Sequence, residues 1–191
     1  MKKLYVASKN QGKIEEYKKL LSIVNCQLLL QPESLEIEED GLTFRDNAIK
    51  KASKVSKKTN NFSIADDSGI CIEALDGKPG IYSSRYADND QKRIERVLKE
   101  LDGVQNRRAF FVANICVCSP NGKVILESEA KCFGKIILKR RGNGGFGYDP
   151  IFEESSTKLT FAEMNNDIKD KYSHRGKALK KIIPNLLEIF S

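Results

Sequence analysis

The run from Arg108 to Ser119, RAFFVANICVCS, constrains the fold more than any other stretch of this chain. It is long, β-branched and aromatic, and it closes on Pro120-Asn121-Gly122, a strong hairpin signal. Lys123 to Leu138 then returns as the partner strand. A hairpin of this length needs helices or further strands to cover it, and the flanking sequence supplies both. Lys3 to Ala7 reads as a first strand, Ser8 to Gly12 as a polar loop, and Lys13 onward as a helix with Ile14, Tyr17, Leu20, Leu21 and Val24 at helical spacing. Gln27 to Gln31 is a second short strand ended by Pro32.

Thr43 is the N-cap expected for the next helix, with Asp46 three residues on. Ala48, Ala52 and Val55 form its narrow apolar stripe. Asn47, one turn from Thr43, either faces a site or is solvated. Asp88 to Leu101 shows a further helical face of Ile94, Val97, Leu98 and Leu101. The last helix, preceded by Ser173 as a candidate cap, carries Ala178, Leu179, Ile182 and Ile183, and Pro184 is expected to break or kink it.

The stretch Ser63 to Ala87 concentrates the chemistry. A short strand, Ser63-Ile64-Ala65, delivers Asp66 and Asp67, and Ser68-Gly69 is expected to turn before Ile70-Cys71-Ile72 resumes as strand. Consecutive strand side chains face opposite ways, so both carboxylates reach one site only where the strand ends. Such a pair suits a hard cation or a general base; the plain alternative is a solvated hairpin tip. Gly77-Lys78-Pro79-Gly80 is a second loop, followed by Tyr82, Arg85 and Tyr86.

Three other places can hold an anion or a ring. The helix start after Ser8-Lys9-Asn10-Gln11-Gly12 offers backbone N–H groups, with Lys13 beside them, but it lacks the Walker A pattern. In KRRGNGGFGYDPIF (Lys139–Phe152), four glycines surround Phe146 and Tyr148, giving a plate for stacking a base or a loop pinned by Phe146 packing inward. His174 and Arg175 stand at a helix N-terminus, where the dipole does not favour cations, which suggests that they serve a ligand.

At 191 residues the chain suits one domain, or one domain with two lobes. No apolar run approaches the roughly 20 residues of a membrane helix, and the start is too short for a secretory segment, so cytoplasmic residence is expected. Five cysteines without a CxxC pair and a single histidine exclude a histidine-rich metal centre and read as buried thiols. The net charge of +7 points to anionic partners, polymeric or small.

Five blocks in this order resemble the inosine triphosphate pyrophosphatase family, the XTP/dITP diphosphatases: ASKNQGK (Ala7–Lys13), EEDGLTFRDNAIKKA (Glu38–Ala52), ADDSGICIEALDGKPGIYSSRYA (Ala65–Ala87), GGFGYDPIF (Gly144–Phe152) and SHRGKAL (Ser173–Leu179). The resemblance implies a mixed α/β fold: a long twisted sheet flanked by helices in two lobes, with the active cleft between them, in a single domain over residues 1–191. It implies a homodimeric, Mg²⁺-dependent hydrolase of ITP, dITP and XTP that cuts between the α and β phosphates.

Carried over by motif, Ser8, Lys9, Asn10, Gln11, Gly12 and Lys13 hold phosphates, and Asp67 is general base or metal-linked carboxylate. Glu38 and Asp66 assist the metal, with Glu39 the alternative to Glu38. Ser68, Phe146, Gly147, Tyr148, Asp149, Lys169, His174 and Arg175 contact substrate. Ser8 stands where threonine is common, and Asp46 where glutamate is. The rival readings are a pyrophosphatase of pyrimidine or modified nucleotides and a non-catalytic nucleotide or nucleic-acid binder. The chain lacks the basic helix or RNP-like strand that a binder of polymeric nucleic acid would carry.

Overall fold

The computed structural model describes residues 1–191. Strand β1 (Lys3–Val6) leads into α1 (Gln11–Leu20), and β2 (Gln27–Leu30) into α2 (Phe44–Thr59). Then come β3 (Phe62–Ile72), α3 (Asp90–Glu100), β4 (Arg108–Cys118) and β5 (Val124–Ile136). Strand β6 (Phe152–Glu154), α4 (Asn166–Tyr172) and α5 (His174–Phe190) complete the chain. One six-stranded sheet runs in the order β2-β1-β3-β4-β5-β6. Strand β1 is parallel to β2 and β3, while β6 is antiparallel to β5, so the fold is mixed α/β.

The chain falls into two compact units. The first comprises Met1–Asp67, Ala113–Ala130 and Lys177–Ser191; the second comprises Ser68–Val112 and Lys131–Gly176. In the first unit the strand period of two sorts side chains cleanly. Leu4, Val6 and Ile64 pack with Tyr17 and Leu21 of α1 and with Ala178, Leu179 and Ile182 of α5. Their strand neighbours Tyr5, Ala7 and Ala65 pack with Ala48, Ala52 and Val55 of α2. The small stripe read from the sequence of α2 is what lets this helix lie close to the sheet. Each Leu, Ile or Val side chain buried in this way contributes about 1.5–3 kcal/mol.

In the second unit, Ile70 and Ile72 of β3 join Ile94, Val97 and Leu101 of α3 and an aromatic group of Phe111, Phe152 and Phe161. Phe111 meets Phe152 edge-on at 4.8 Å and stacks on Phe161 at 5.6 Å.

The hairpin stands as expected, with Ser119 N donating to Lys123 O at 2.9 Å across the turn. Thr43 caps α2, its hydroxyl accepting from Asp46 N at 3.1 Å. Two expectations change. Ser68-Gly69 makes no turn: β3 runs unbroken through both residues. Membership of a strand that lies beside β4 and an anchor at Ile70, whose N–H donates to Ser83 Oγ at 2.9 Å, override the local turn preference. Nor does Pro184 end the last helix, which continues to Phe190. Pro184 lies on the exposed side, and Leu186 and Phe190 beyond it are buried, so core packing holds the helix together across the missing N–H.

Candidate active site

Two charged clusters are buried, one in each unit, and each is built by adjacent turns of secondary structure. In the first unit, Asp66 and Asp67 alternate across β3 because the strand does not end at them. Asp66 is fully buried and accepts an ion pair from Lys13 Nζ at 3.0 Å, in the first turn of α1. That turn is shaped by its own loop: Asn10 caps it, accepting from Lys13 N at 3.1 Å, and Ser8 Oγ accepts from Asn10 N at 3.2 Å. The first turn contains no acidic residue, so the dipole and Lys13 together favour an anion there.

Asp67 faces α2 instead, with both oxygens engaged. Asn47 Nδ2 donates to Oδ2 at 3.0 Å, and Lys51 Nζ lies 3.5 Å from Oδ1. The same Lys51 Nζ meets Glu39 Oε1 at 2.5 Å, so one ammonium is shared by two carboxylates. Burial pushes the Asp67 carboxyl above its ordinary value, against the pull of Lys51 and Lys13; Glu39 adds to the rise and Asn47 opposes it. Burial also opposes the Lys51 ammonium, but the charges of Asp67, Glu39 and Asp66 outweigh it and hold Lys51 above its ordinary value. Lys51 therefore holds its proton more tightly than a free lysine, and Asp67 has a heightened affinity for one.

In the second unit, Ser68 Oγ accepts from Arg175 Nη2 at 2.9 Å. Arg175 is only 2% exposed, and His174 beside it is stacked on Phe111 at 4.7 Å, nearly parallel at 9°. Gly176 lets α5 start against α4, because a Cβ there would overlap the carbonyl of Asp170. Ser173 caps the turn by accepting from Gly176 N at 3.1 Å.

The glycine-rich loop is tied down at every step. Asp149 Oδ2 accepts from Phe146 N at 2.9 Å and from Lys169 Nζ at 2.7 Å, and Gly147 N donates to Asp90 Oδ2 at 2.7 Å. Tyr148 donates its hydroxyl to Ser83 O at 2.9 Å. Gly145, at φ 73°, leaves no room for a Cβ beside the Asp149 carboxylate. The Phe146 ring is half-buried, with Lys169 Nζ 4.7 Å and the Arg175 guanidinium 6.0 Å from its centroid.

The residues singled out from sequence thus divide. Ser8, Asn10, Gly12 and Lys13 share the α1 start with Asp66, and Asp67 stands with α2. Ser68, Phe146, Gly147, Tyr148, Asp149, Lys169, His174 and Arg175 belong to the second unit's cluster. Lys9 and Gln11 instead reach surface carboxylates, Glu36 at 2.5 Å and Glu15 at 2.6 Å. Glu38 is exposed, and it is Glu39 that the acidic segment turns toward Asp67 through Lys51. The sequence does not single out Lys51, and it leaves Asn47 between site and solvent. The available signal was their i, i+4 spacing beside the Ala48–Ala52 stripe.

Residues 4–185 match the model of the Ham1 family. The chain belongs to the Ham1 family. A dITP/XTP pyrophosphatase of Prochlorococcus marinus subsp. pastoris is 82% identical over 191 residues, 100% of either chain. One of Nostoc sp. is 47% identical over 98% of this chain and 96% of its own. Among solved structures, a HAM1 protein from Coxiella burnetii superposes with a TM-score of 0.89 at 38% identity, covering 98% of this chain and 100% of that one. A nucleoside-triphosphatase / dITP/XTP pyrophosphatase from Mycobacterium abscessus gives 0.74 at 35% identity, covering 95% and 99%. Family membership thus spans both buried clusters.

Proposed function

We propose that this chain hydrolyses non-standard purine nucleoside triphosphates such as ITP, dITP and XTP to the monophosphate and pyrophosphate, with Mg²⁺ as cofactor. The observation that carries this reading is the Asp67 carboxylate. It is buried, gripped on both oxygens and raised in proton affinity, in a Ham1 chain 82% identical to a dITP/XTP pyrophosphatase.

No group of three or more acidic, histidine or cysteine side chains forms a closed metal cage. A hard cation held partly by substrate does not need one, since Mg²⁺ keeps waters and takes phosphate oxygens with one or two carboxylates. Asp67 and Glu39 fit that donor set in kind: both are carboxylates, and they already share one positive charge. When bound, the metal would neutralise charge on the phosphate tail. Asp66, committed to Lys13 on the other side of β3, fits better as the anchor of that lysine.

The protein's own groups then divide the work. Lys13 and the α1 start take up phosphate charge. Asp67 orients the attacking water and accepts its proton, the task for which a raised proton affinity suits a carboxylate. Arg175 and His174 donate to the 6-oxo group of the purine, where adenine has an amino donor instead. Phe146 offers its ring face to the base, and Asp149 and Lys169 keep that loop in place. Two copies are expected to associate, and the enzyme is expected to work in the cytoplasm. No helix of the chain is long and apolar enough to cross a membrane.

The test is a panel of purine and pyrimidine triphosphates assayed for pyrophosphate release with and without Mg²⁺. Release from ITP and XTP that stops on chelation supports the reading. Turnover confined to pyrimidine triphosphates, or none at all, overturns it.

A further inference from the structure

We infer that Asn47 is a positioning residue that locks the acidic segment and Asp67 into one rigid arrangement, an inference that rests on the hydrolase reading above. Asn47 lies in the first turn of α2 and is completely buried. A buried carboxamide must have its polar atoms satisfied, and this one spends its two ends on different segments. Its Nδ2 donates to Asp67 Oδ2 at 3.0 Å, and its Oδ1 accepts from Gly41 N at 2.8 Å.

Position 41 gives an independent sign of the same contact. A Cβ there would lie 2.7 Å from Asn47 Oδ1 and 2.8 Å from Asp46 Cβ, so only glycine lets the backbone come this close. Two residues before Gly41 is Glu39, whose carboxylate meets Lys51, one helical turn after Asn47. Asn47 and Lys51 each hold one oxygen of Asp67 and one point of the acidic segment. Two such rungs on one helix face leave Asp67 no free rotation about its carboxylate axis. They also fix where Glu39 stands relative to it.

The two rungs differ in charge. Lys51 offsets the negative charge of Asp67, whereas Asn47 is neutral and orients the carboxylate through a single directed hydrogen bond. Helix α2 does not need Asn47 for its start, because Thr43 caps it. The carboxamide therefore acts on the site rather than on the helix.

The experiment measures kcat and KM for ITP in the full chain carrying Asn47→Ala, Asn47→Asp or Gly41→Ala, together with hydrogen exchange at the Gly41 amide. Loss of an orienting partner costs about 10- to 100-fold. Asn47→Ala and Gly41→Ala should lower kcat by that much with KM within about threefold, at temperatures where both variants remain folded. Asn47→Ala should also speed exchange at Gly41. Asn47→Asp keeps an acceptor for Gly41 N but no amide donor for Asp67, so kcat should fall while Gly41 stays protected. Wild-type kcat in folded Asn47→Ala, or unchanged Gly41 exchange in that variant, overturns the inference. A wild-type chain that releases no pyrophosphate from ITP overturns the hydrolase reading instead.

Discussion

Asp67 is a charge kept where burial disfavours it, and the rest of the first unit's site is arranged around that fact. Its neighbours do not cancel the burial effect, since the net displacement is upward. A carboxylate serving only the fold would be better replaced by an apolar residue, because buried ion pairs add little net stability. Asp67→Asn preserves size and one acceptor toward α2 while removing the carboxylate. It should lower ITP turnover by about 10²–10⁴-fold with the circular dichroism spectrum unchanged. In the second unit, Arg175 donates to Ser68 and faces the Phe146 ring. Arg175→Ala should reduce ITP turnover far more than residual ATP turnover, as parallel kinetics on the two substrates would show; equal losses would remove Arg175 from base readout.

The elements show where local sequence was a sufficient guide and where it was not. The hairpin, the Thr43 cap and the apolar stripes follow from neighbours within a few residues, and the structure repeats them. Ser68-Gly69 carries turn chemistry, yet it sits inside β3, because pairing partners distant in sequence decide the backbone there. The loss of that turn also corrects the placing of the two aspartates. They serve opposite sides of β3, which only the continuity of the strand reveals. Asn47 and Lys51 on α2 look like solvated residues until β3 supplies the carboxylate that they meet.

Pro184 is the converse case: a breaker tolerated because the turns on both sides of it are buried. Pro184→Ala restores a donor to the helix on its exposed side and should raise stability by about 1–3 kcal/mol, measured by urea unfolding. At the end of β6, Glu154 accepts from Ser156 N, Ser156 Oγ and Thr157 N at 3.0, 2.7 and 2.8 Å. Burial would raise its carboxyl, but these donors outweigh it and hold the group below its ordinary value of 4.5. A depressed folded-state value means that the stabilisation is present above the unfolded value and is lost as pH falls through the folded one. The wild type should therefore melt above Glu154→Gln at neutral pH by about 2–4 °C. That gap should close as pH falls through the depressed folded-state value of Glu154, as paired thermal melts across the acid range would show.

At the scale of the whole molecule, the chain places one buried charged cluster in each compact unit, around Asp66 and Asp67 in the first and around Asp149, Lys169 and Arg175 in the second. Family membership was readable from five blocks scattered along the chain. Which carboxylate of the acidic run pairs with Lys51 was not, because in such a run each carboxylate looks alike; the structure pairs Lys51 with Glu39. The account's central claim is that water, oriented by Asp67, attacks the α-phosphorus. Hydrolysis of ITP in heavy-oxygen water, followed by mass spectrometry of both products, tests this directly. The account predicts the heavy oxygen in the nucleoside monophosphate and none in pyrophosphate; label in the pyrophosphate, or release of orthophosphate as the first product, would contradict it.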